Sequence, residues 1–151
     1  MIKQNLLLIN MESVIQRNTV IDLLNSDVSI HIDNVYHLVS THIISPASVK
    51  SVEYHSILSE PLMRMPLGEP SSIAIDSELL DALTDEEPII LKMLERAYYK
   101  NSRYRQHDLR VHLYYTYLSY WLSFLKEKSI SQVIFGNIPH NGYDYIIYVL
   151  G

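Results

Sequence analysis

The chain begins with a short, unbroken apolar run inside residues 5–10, NLLLIN. A run of this length without polar alternation is typical of a strand buried on both faces. Residues 13–24 place apolar side chains at helical spacing, and residues 29–32 show the alternation and β-branching of a second short strand. Strand, helix and strand in this order predict a parallel β-α-β unit.

The pattern is weakest between residues 33 and 72. Apolar positions there have no regular period, and four prolines and one glycine interrupt the chain. This region is predicted to hold short elements and loops. Beyond it, Asp76 is a candidate N-cap for a short helix that runs through Leu83, because an aspartate side chain can accept from the first free amides of a helix.

Two longer helices are predicted next. Thr84 with the three acidic residues that follow resembles a capping box for a helix running to about Tyr99, and Pro88 falls in or near the first turn, where proline is tolerated. A second helix ends at about Lys128 and carries two apolar stripes rich in aromatic residues, so both sides should be covered. The alternative, an aromatic platform for a ligand, is less favoured because long apolar helices are normally part of a core.

The last predicted elements are a strand at residues 130–135 and a helix that starts near Tyr143. Alternating helices and strands indicate an α/β fold with a Rossmann-like parallel sheet flanked by helices. Residues 1–151 are expected to form a single α/β domain. Because the sequence stops at Gly151 inside an amphipathic helix, we expect a C-terminally truncated domain that is the N-terminal part of a longer two-domain protein.

Composition narrows the possible partners and location. With 12 basic residues, 17 acidic residues and a net charge of -5, the chain is not expected to bind nucleic acid or an anionic membrane. Its most apolar segment, residues 111–125, is shorter than the ~20 residues of a membrane span. The absence of cysteine excludes thiol chemistry and fits a reducing compartment. The N-terminal apolar run is too short for a signal-peptide core, so a cytoplasmic location is expected.

Candidate chemistry concentrates in residues 132–148, QVIFGNIPHNGYDYIIY. In open α/β sheets ligands bind outside the carboxyl ends of the strands, where this turn is expected to lie. Gly136 permits close backbone approach and Pro139 restricts the chain, so His140 would be held near the positive end of the last helix. Histidine suits a general base or a donor to phosphate, which makes His140 the catalytic candidate. The alternative is a structural histidine that hydrogen-bonds a loop carbonyl.

Polar residues near this turn and after the first strand complete the candidate site. Asn141 or Gly142 can cap the last helix. Asp144 either orients His140 or stabilises the helix N-terminus, and the second role is favoured. Asn10 and Glu12 follow the first strand and are weaker candidates for substrate binding.

The sequence predicts neither a metal site nor a cofactor. None of the seven histidines forms a pair at the i, i+4 spacing that would place two ligands on one helix face. The turn after the first strand reads NMES, which lacks the glycine-rich loop of dinucleotide-binding folds. No serine lies in a nucleophile elbow, so serine hydrolase chemistry is not expected.

The C-terminal part of the chain resembles a known family. The segments EEPIILKMLERAYY and LYYTYLSYWLSFLKEKSISQVIFGNIPHNGYDYIIYVL, within residues 86–150, are similar to the N-terminal region of surface or capsular polysaccharide biosynthesis proteins of bacteria and phages, which are glycosyltransferase-like. The most specific match is the turn NIPH at residues 137–140, followed by Asp144 and Tyr145. An acidic residue often follows the histidine in this family, whereas this chain has Asn141.

The resemblance implies a two-domain enzyme in which this chain is the acceptor-side N-terminal domain and a second domain binds a nucleotide-sugar. His140 would then face the cleft as a base or as an acceptor-binding residue, with Asn137, Asn141 and Tyr143 as hydrogen-bonding neighbours. Nucleotide-sugar and glycan acceptor would be the partners of the full-length protein. The rival interpretation is a non-catalytic α/β protein-interaction module whose aromatic helix docks a partner.

We expect the isolated chain to self-associate through an exposed apolar face, because its last helix stops short and its aromatic helix is apolar on two sides. Light scattering at high micromolar concentration should report a mass well above the 17.6 kDa of one chain. A clean monomer at that concentration would contradict the expectation.

Overall fold

A computed structural model describes residues 4–11, 13–25, 32–39, 51–56, 73–97 and 105–151. These residues fall into two compact units. The first unit comprises Met1–Leu67 and Lys126–Ile138, and the second comprises Gly68–Leu125 and Pro139–Gly151. The strands belong to the first unit, and the second unit is helical.

The first unit contains a four-stranded parallel sheet. Its strands are β1 (Gln4–Ile9), β2 (Ile32–Val39), β3 (Ser51–Ser56) and β4 (Ile130–Phe135). They lie in the order β3-β2-β1-β4, and each neighbouring pair is parallel. This order is that of the first four strands of a Rossmann-type sheet. The structure therefore confirms the predicted α/β class and its parallel sheet.

β1 is a central strand, and its apolar side chains are buried. Residues 6–9 are at most 2% exposed, as expected for a strand covered on both faces. Alternate residues of β1 pack with α1 (Val14–Asn25) and with β2 in one core cluster. The buried members of that cluster are Leu6, Leu8, Met11, Val20, Ile32 and Val35. The predicted β-α-β unit is therefore present, with its helix packed on the sheet.

The second strand extends further along the chain than the sequence predicts. Of the predicted strand at residues 29–32, only Ile32 is among the described residues, and β2 continues from it to Val39. β3 also lies in the region predicted to be short elements and loops. Polar residues interrupt the apolar pattern of both strands, IDNVYHLV and SVEYHS, so their pairing with β1 and with each other decides their structure. Residues 40–50 and 57–72 lie outside the described part of that region.

A buried amide links β1 to its two neighbours. The Asn5 residue is 5% exposed; its side chain donates to the Lys128 carbonyl and accepts from Nδ2 of Asn34 at 2.9 Å. The Ser131 hydroxyl lies 3.2 Å from both the main-chain nitrogen and the main-chain oxygen of Asn5. The pairing register shifts beside Asn5 in both strand pairs, so this network satisfies polar groups where the regular ladder is interrupted.

The described residues of the second unit form four helices, and the sequence predicts most of the residues at which these helices begin and end. They are α2 (Ser77–Ala82), α3 (Glu87–Ala97), α4 (His107–Glu127) and α5 (Gly142–Leu150). Asp76 caps α2 as predicted, since its carboxylate accepts from the Leu79 amide at 2.7 Å. Pro88 lies in the first turn of α3, also as predicted. The predicted cap at Thr84 is wrong, because its hydroxyl donates to the Leu80 carbonyl at 3.2 Å and α3 starts later.

The aromatic helix α4 is buried along one of its two predicted stripes and partly buried along the other, on which Tyr115 is exposed. Its buried side chains are Leu113, Tyr114, Tyr117, Leu118, Tyr120, Trp121, Ser123 and Phe124. The rings of Trp121 and Phe124 pack edge to face with centroids 5.6 Å apart. Burial raises the pKa of Tyr114 to about 12, and the negative charge of Glu87 adds to the rise. α4 is therefore a core helix, as its apolar pattern indicates, and its stripes do not form an open platform.

Replacing Asn5 with alanine is expected to lower the free energy of unfolding by about 2 kcal/mol, because the Lys128 carbonyl and the Asn34 amide both lose a buried hydrogen bond. Urea denaturation followed by circular dichroism measures this change. Asn18→Ala is the matched control, since Asn18 is exposed on α1 and the change should stay within about 0.5 kcal/mol. Equal stability of the two variants would contradict the role of Asn5.

Candidate functional site

Gly136 starts the turn after β4 and closely approaches the end of β1. Its amide donates to the Ile9 carbonyl at 2.8 Å. A Cβ atom at this position would lie 2.3 Å from the main-chain oxygen of Asn10, so a larger residue would push the two backbones apart. Asn10 has a positive φ of 57°, which asparagine adopts more readily than most residues. The structure confirms the predicted close-approach role of Gly136.

Gln16 links the start of α1 to the turn after β4, and the sequence analysis does not identify this residue. The main-chain amide of Gln16 donates to the Ser13 hydroxyl at 3.1 Å, and its side-chain Oε1 accepts from the main-chain amide of Ser13 at 3.0 Å. These two hydrogen bonds form a capping box at the start of α1. Nε2 of Gln16 also donates to the Gly136 carbonyl. The spacing S-x-x-Q signals the capping box, but no local pattern signals a partner 120 positions away.

Two predicted residues of the candidate site lie at the carboxyl edge of the sheet. Asn10 follows β1 and Asn137 lies two residues beyond β4, which is the parallel neighbour of β1. Asn10 is only 4% exposed, whereas Asn137 is exposed. Glu12 lies outside the described residues. Of the two described candidates, Asn137 is the one that a substrate can reach without a change of structure.

The N-terminus of α5 is closed by Asp144. Asn141 is the N-cap residue, as predicted, and has an extended backbone. Oδ1 of Asp144 accepts from the main-chain amides of Asn141 at 2.7 Å and His140 at 3.1 Å, and Oδ2 accepts from Nδ2 of Asn141 at 3.2 Å. Of its two predicted roles, Asp144 therefore performs the favoured one, stabilising the helix N-terminus. It also fixes the main chain of His140.

His140 combines an exposed side chain with a main chain that is held on both sides. Its amide donates to Asp144, and its carbonyl accepts from Nη2 of Arg96 at 2.8 Å. Nε2 of the ring lies 3.5 Å from Nδ2 of Asn141. An accessible imidazole on a fixed main chain is the arrangement that a general base requires.

Packing between α3 and α5 supports the His140 turn. A Cβ atom at Gly142 would lie 2.3 Å from Cδ2 of Leu94, so the glycine lets the two helices approach closely. The Tyr145 hydroxyl donates to Oε2 of Glu86 at 2.8 Å. Arg96 adds the third link, which the sequence analysis misses because its partner lies 44 positions away.

The remaining candidates at the start of α5 are buried. Tyr143 is 3% exposed and Asp144 is fully buried, so neither presents its side chain at the surface. Burial raises the pKa of the Asp144 carboxyl, while the hydrogen bonds from Asn141 and the charge of His140 oppose that rise. The structure thus brings His140, Asn141 and Asp144 together in one hydrogen-bonded turn. A substrate contact by Tyr143 stays a prediction.

Comparisons with protein-family models, curated proteins and solved structures find no match for this chain. None of the helices in the described residues is both long and apolar enough to cross a membrane. Within the same residues, no group of three or more histidine, aspartate or glutamate side chains is placed to hold a metal ion.

The buried carboxyl of Asp144 should make stability depend on pH. Its pKa is raised above the ordinary 3.8, so the folded state binds this proton more tightly than the unfolded chain does. Its contribution to stability is largest below about pH 4 and is lost as the pH rises through the raised pKa. Urea unfolding between pH 3.5 and 7 should therefore show the wild type losing stability relative to Asp144→Asn. Asp81→Asn, on an exposed carboxylate, controls for one lost charge; a pH-independent difference between wild type and Asp144→Asn would contradict the prediction.

Proposed function

We propose that this chain is the acceptor-side N-terminal domain of a glycosyltransferase-like enzyme of surface polysaccharide biosynthesis, with His140 as its general base. The observation that carries the proposal is the exposed imidazole of His140 on a main chain fixed by Arg96 and Asp144. The resemblance of the NIPH segment to polysaccharide biosynthesis proteins supplies the reaction class.

In the proposed reaction, the ring of His140 takes the proton from an acceptor sugar hydroxyl as that oxygen attacks the anomeric carbon of a nucleotide-sugar. The new bond joins the acceptor oxygen to the anomeric carbon, and the bond from that carbon to the nucleoside diphosphate breaks. A second domain binds the nucleotide-sugar in this proposal. Asn141, the neighbour of His140, donates to or accepts from a hydroxyl group of the acceptor, which positions the attacking oxygen.

The proposal assigns the protein to the cytoplasm and requires no metal or cofactor of its own. The absence of cysteine supports a reducing compartment. The negative net charge argues against a polyanion such as nucleic acid as the acceptor.

The rival function, a protein-interaction module that docks a partner through α4, has less support. Such a helix would present an apolar aromatic stripe to solvent. Instead, Tyr117, Trp121 and Phe124 are at most 7% exposed, and Tyr115 is the one large α4 hydrophobic among the exposed described residues. The burial of α4 therefore favours the enzyme interpretation over docking through this helix.

His140→Ala is expected to reduce sugar transfer by roughly 10²-fold or more, the usual contribution of a general base. Its unfolding free energy should change by less than about 1 kcal/mol, because the exposed ring contributes little to packing. The measurements are radiolabelled sugar transfer and thermal melting, made on the protein expressed from its complete reading frame. His112→Ala is the matched control, since His112 is an exposed histidine on α4. Full transfer activity in a stable His140→Ala protein would refute the proposal.

A further inference from the structure

The outer face of α3 forms a groove that includes the residue holding His140. The groove has a volume of about 460 Å³ and is lined by Ile89, Lys92, Met93, Glu95 and Arg96. Arg96 donates to the His140 carbonyl from this face, so the groove and the His140 turn share one side chain. The buried side of the same helix carries Ile90 and Leu94, which are fully enclosed. α3 therefore supports α5 with one side and presents a concave surface with another.

The groove has the charge of an anion site. Lys92 and Arg96 are four residues apart, which places both cations on one side of the helix. Glu95 is the one carboxylate among the lining residues that the structure describes. A guanidinium has five N–H donors, and the hydrogen bond to His140 uses one of them. Among the described lining residues, two cations lie beside one carboxylate, in a chain whose net charge is -5.

The N-terminus of α5 does not serve as the anion site. Asp144 already accepts from the first amides there, and an added anion would face a buried carboxyl group. Lys92 and Arg96 are the cations among the described residues that line this groove. Ile89, which is 43% exposed, and Met93 place apolar surface beside the cations, so the site suits an anion attached to a carbon skeleton.

We infer that this groove binds a phosphorylated acceptor, with the phosphate group between Lys92 and Arg96. Arginine offers a donor pair that matches phosphate oxygens, and lysine adds a second positive charge that a phosphate monoester or diphosphate neutralises better than a single carboxylate does. The identity of the ligand as an acceptor rests on the proposed function, since the same arginine positions His140. The phosphate can belong to a soluble sugar phosphate or to the headgroup of a lipid carrier, which share this chemistry.

Binding of two probes tests the inference. Glucose 1-phosphate, titrated by calorimetry or by amide chemical shifts, represents the soluble source. Flotation with phosphatidylcholine vesicles that contain or lack phosphatidic acid represents the lipid source. Lys92→Gln and Arg96→Gln should each weaken binding of the preferred probe by about tenfold, the loss of one charge-assisted hydrogen bond. Glu95→Gln should strengthen it, because a repelling carboxylate is removed.

Controls separate this inference from the proposed function. Lys126→Gln removes an exposed positive charge outside the groove and should leave binding unchanged. Arg96→Gln could lower the melting temperature, because Arg96 also bonds the His140 carbonyl. Lys92 and Glu95 are not buried, so Lys92→Gln and Glu95→Gln still test the site: the first should weaken probe binding and the second should strengthen it. Binding of neither probe, or equal binding by wild type, Lys92→Gln and Glu95→Gln, would overturn the phosphate site. Phosphate binding that depends on Lys92 in a protein where His140→Ala transfers sugar normally would instead overturn the catalytic proposal and leave the site standing.

Discussion

The first unit depends on the burial of β1 on both faces of the sheet. Residues 6–9 are almost fully buried, and a strand can be buried in this way only if neighbouring strands on both edges bond its main chain. β2 and β4 supply those edges. Because the strands are parallel, the turns that follow β1 and β4 leave the sheet at the same edge. For the same reason the starts of the two strands are neighbours, and Asn5 contacts Ser131 although 126 positions separate them.

Two sets of hydrogen bonds hold the main chain of the candidate turn, residues 136–140. At its start, the amide of Gly136 bonds to β1 and its carbonyl accepts from Gln16, so the first residue after β4 has little freedom. At its end, Asp144 and Arg96 hold the main chain of His140 from the amide and carbonyl sides. An exposed side chain normally loses entropy when it binds a substrate. Fixing its main chain beforehand reduces that cost for His140.

Asp144 and His140 differ in burial at the start of α5. A buried carboxylate is costly unless hydrogen bonds replace its lost water, and Asp144 accepts three of them from two residues. Its burial makes it a poor partner for substrate and a good anchor for the helix. The imidazole of His140, by contrast, is exposed. Arg96 joins this arrangement to the α3 groove, so a ligand that draws on Arg96 would also act on the main chain of His140.

Local patterns in the sequence determined β1, α1, β4 and α5, together with the caps at Asp76 and Asn141, because apolar periodicity and side-chain capping operate within a few residues. Only tertiary structure decided β2 and β3, whose polar residues hide their pairing. It also decided that Asn10 and Tyr143 would be buried. Arg96 donates to the carbonyl of His140, 44 positions away. Only folding brings these two groups within hydrogen-bonding distance, so no local sequence pattern predicts the contact.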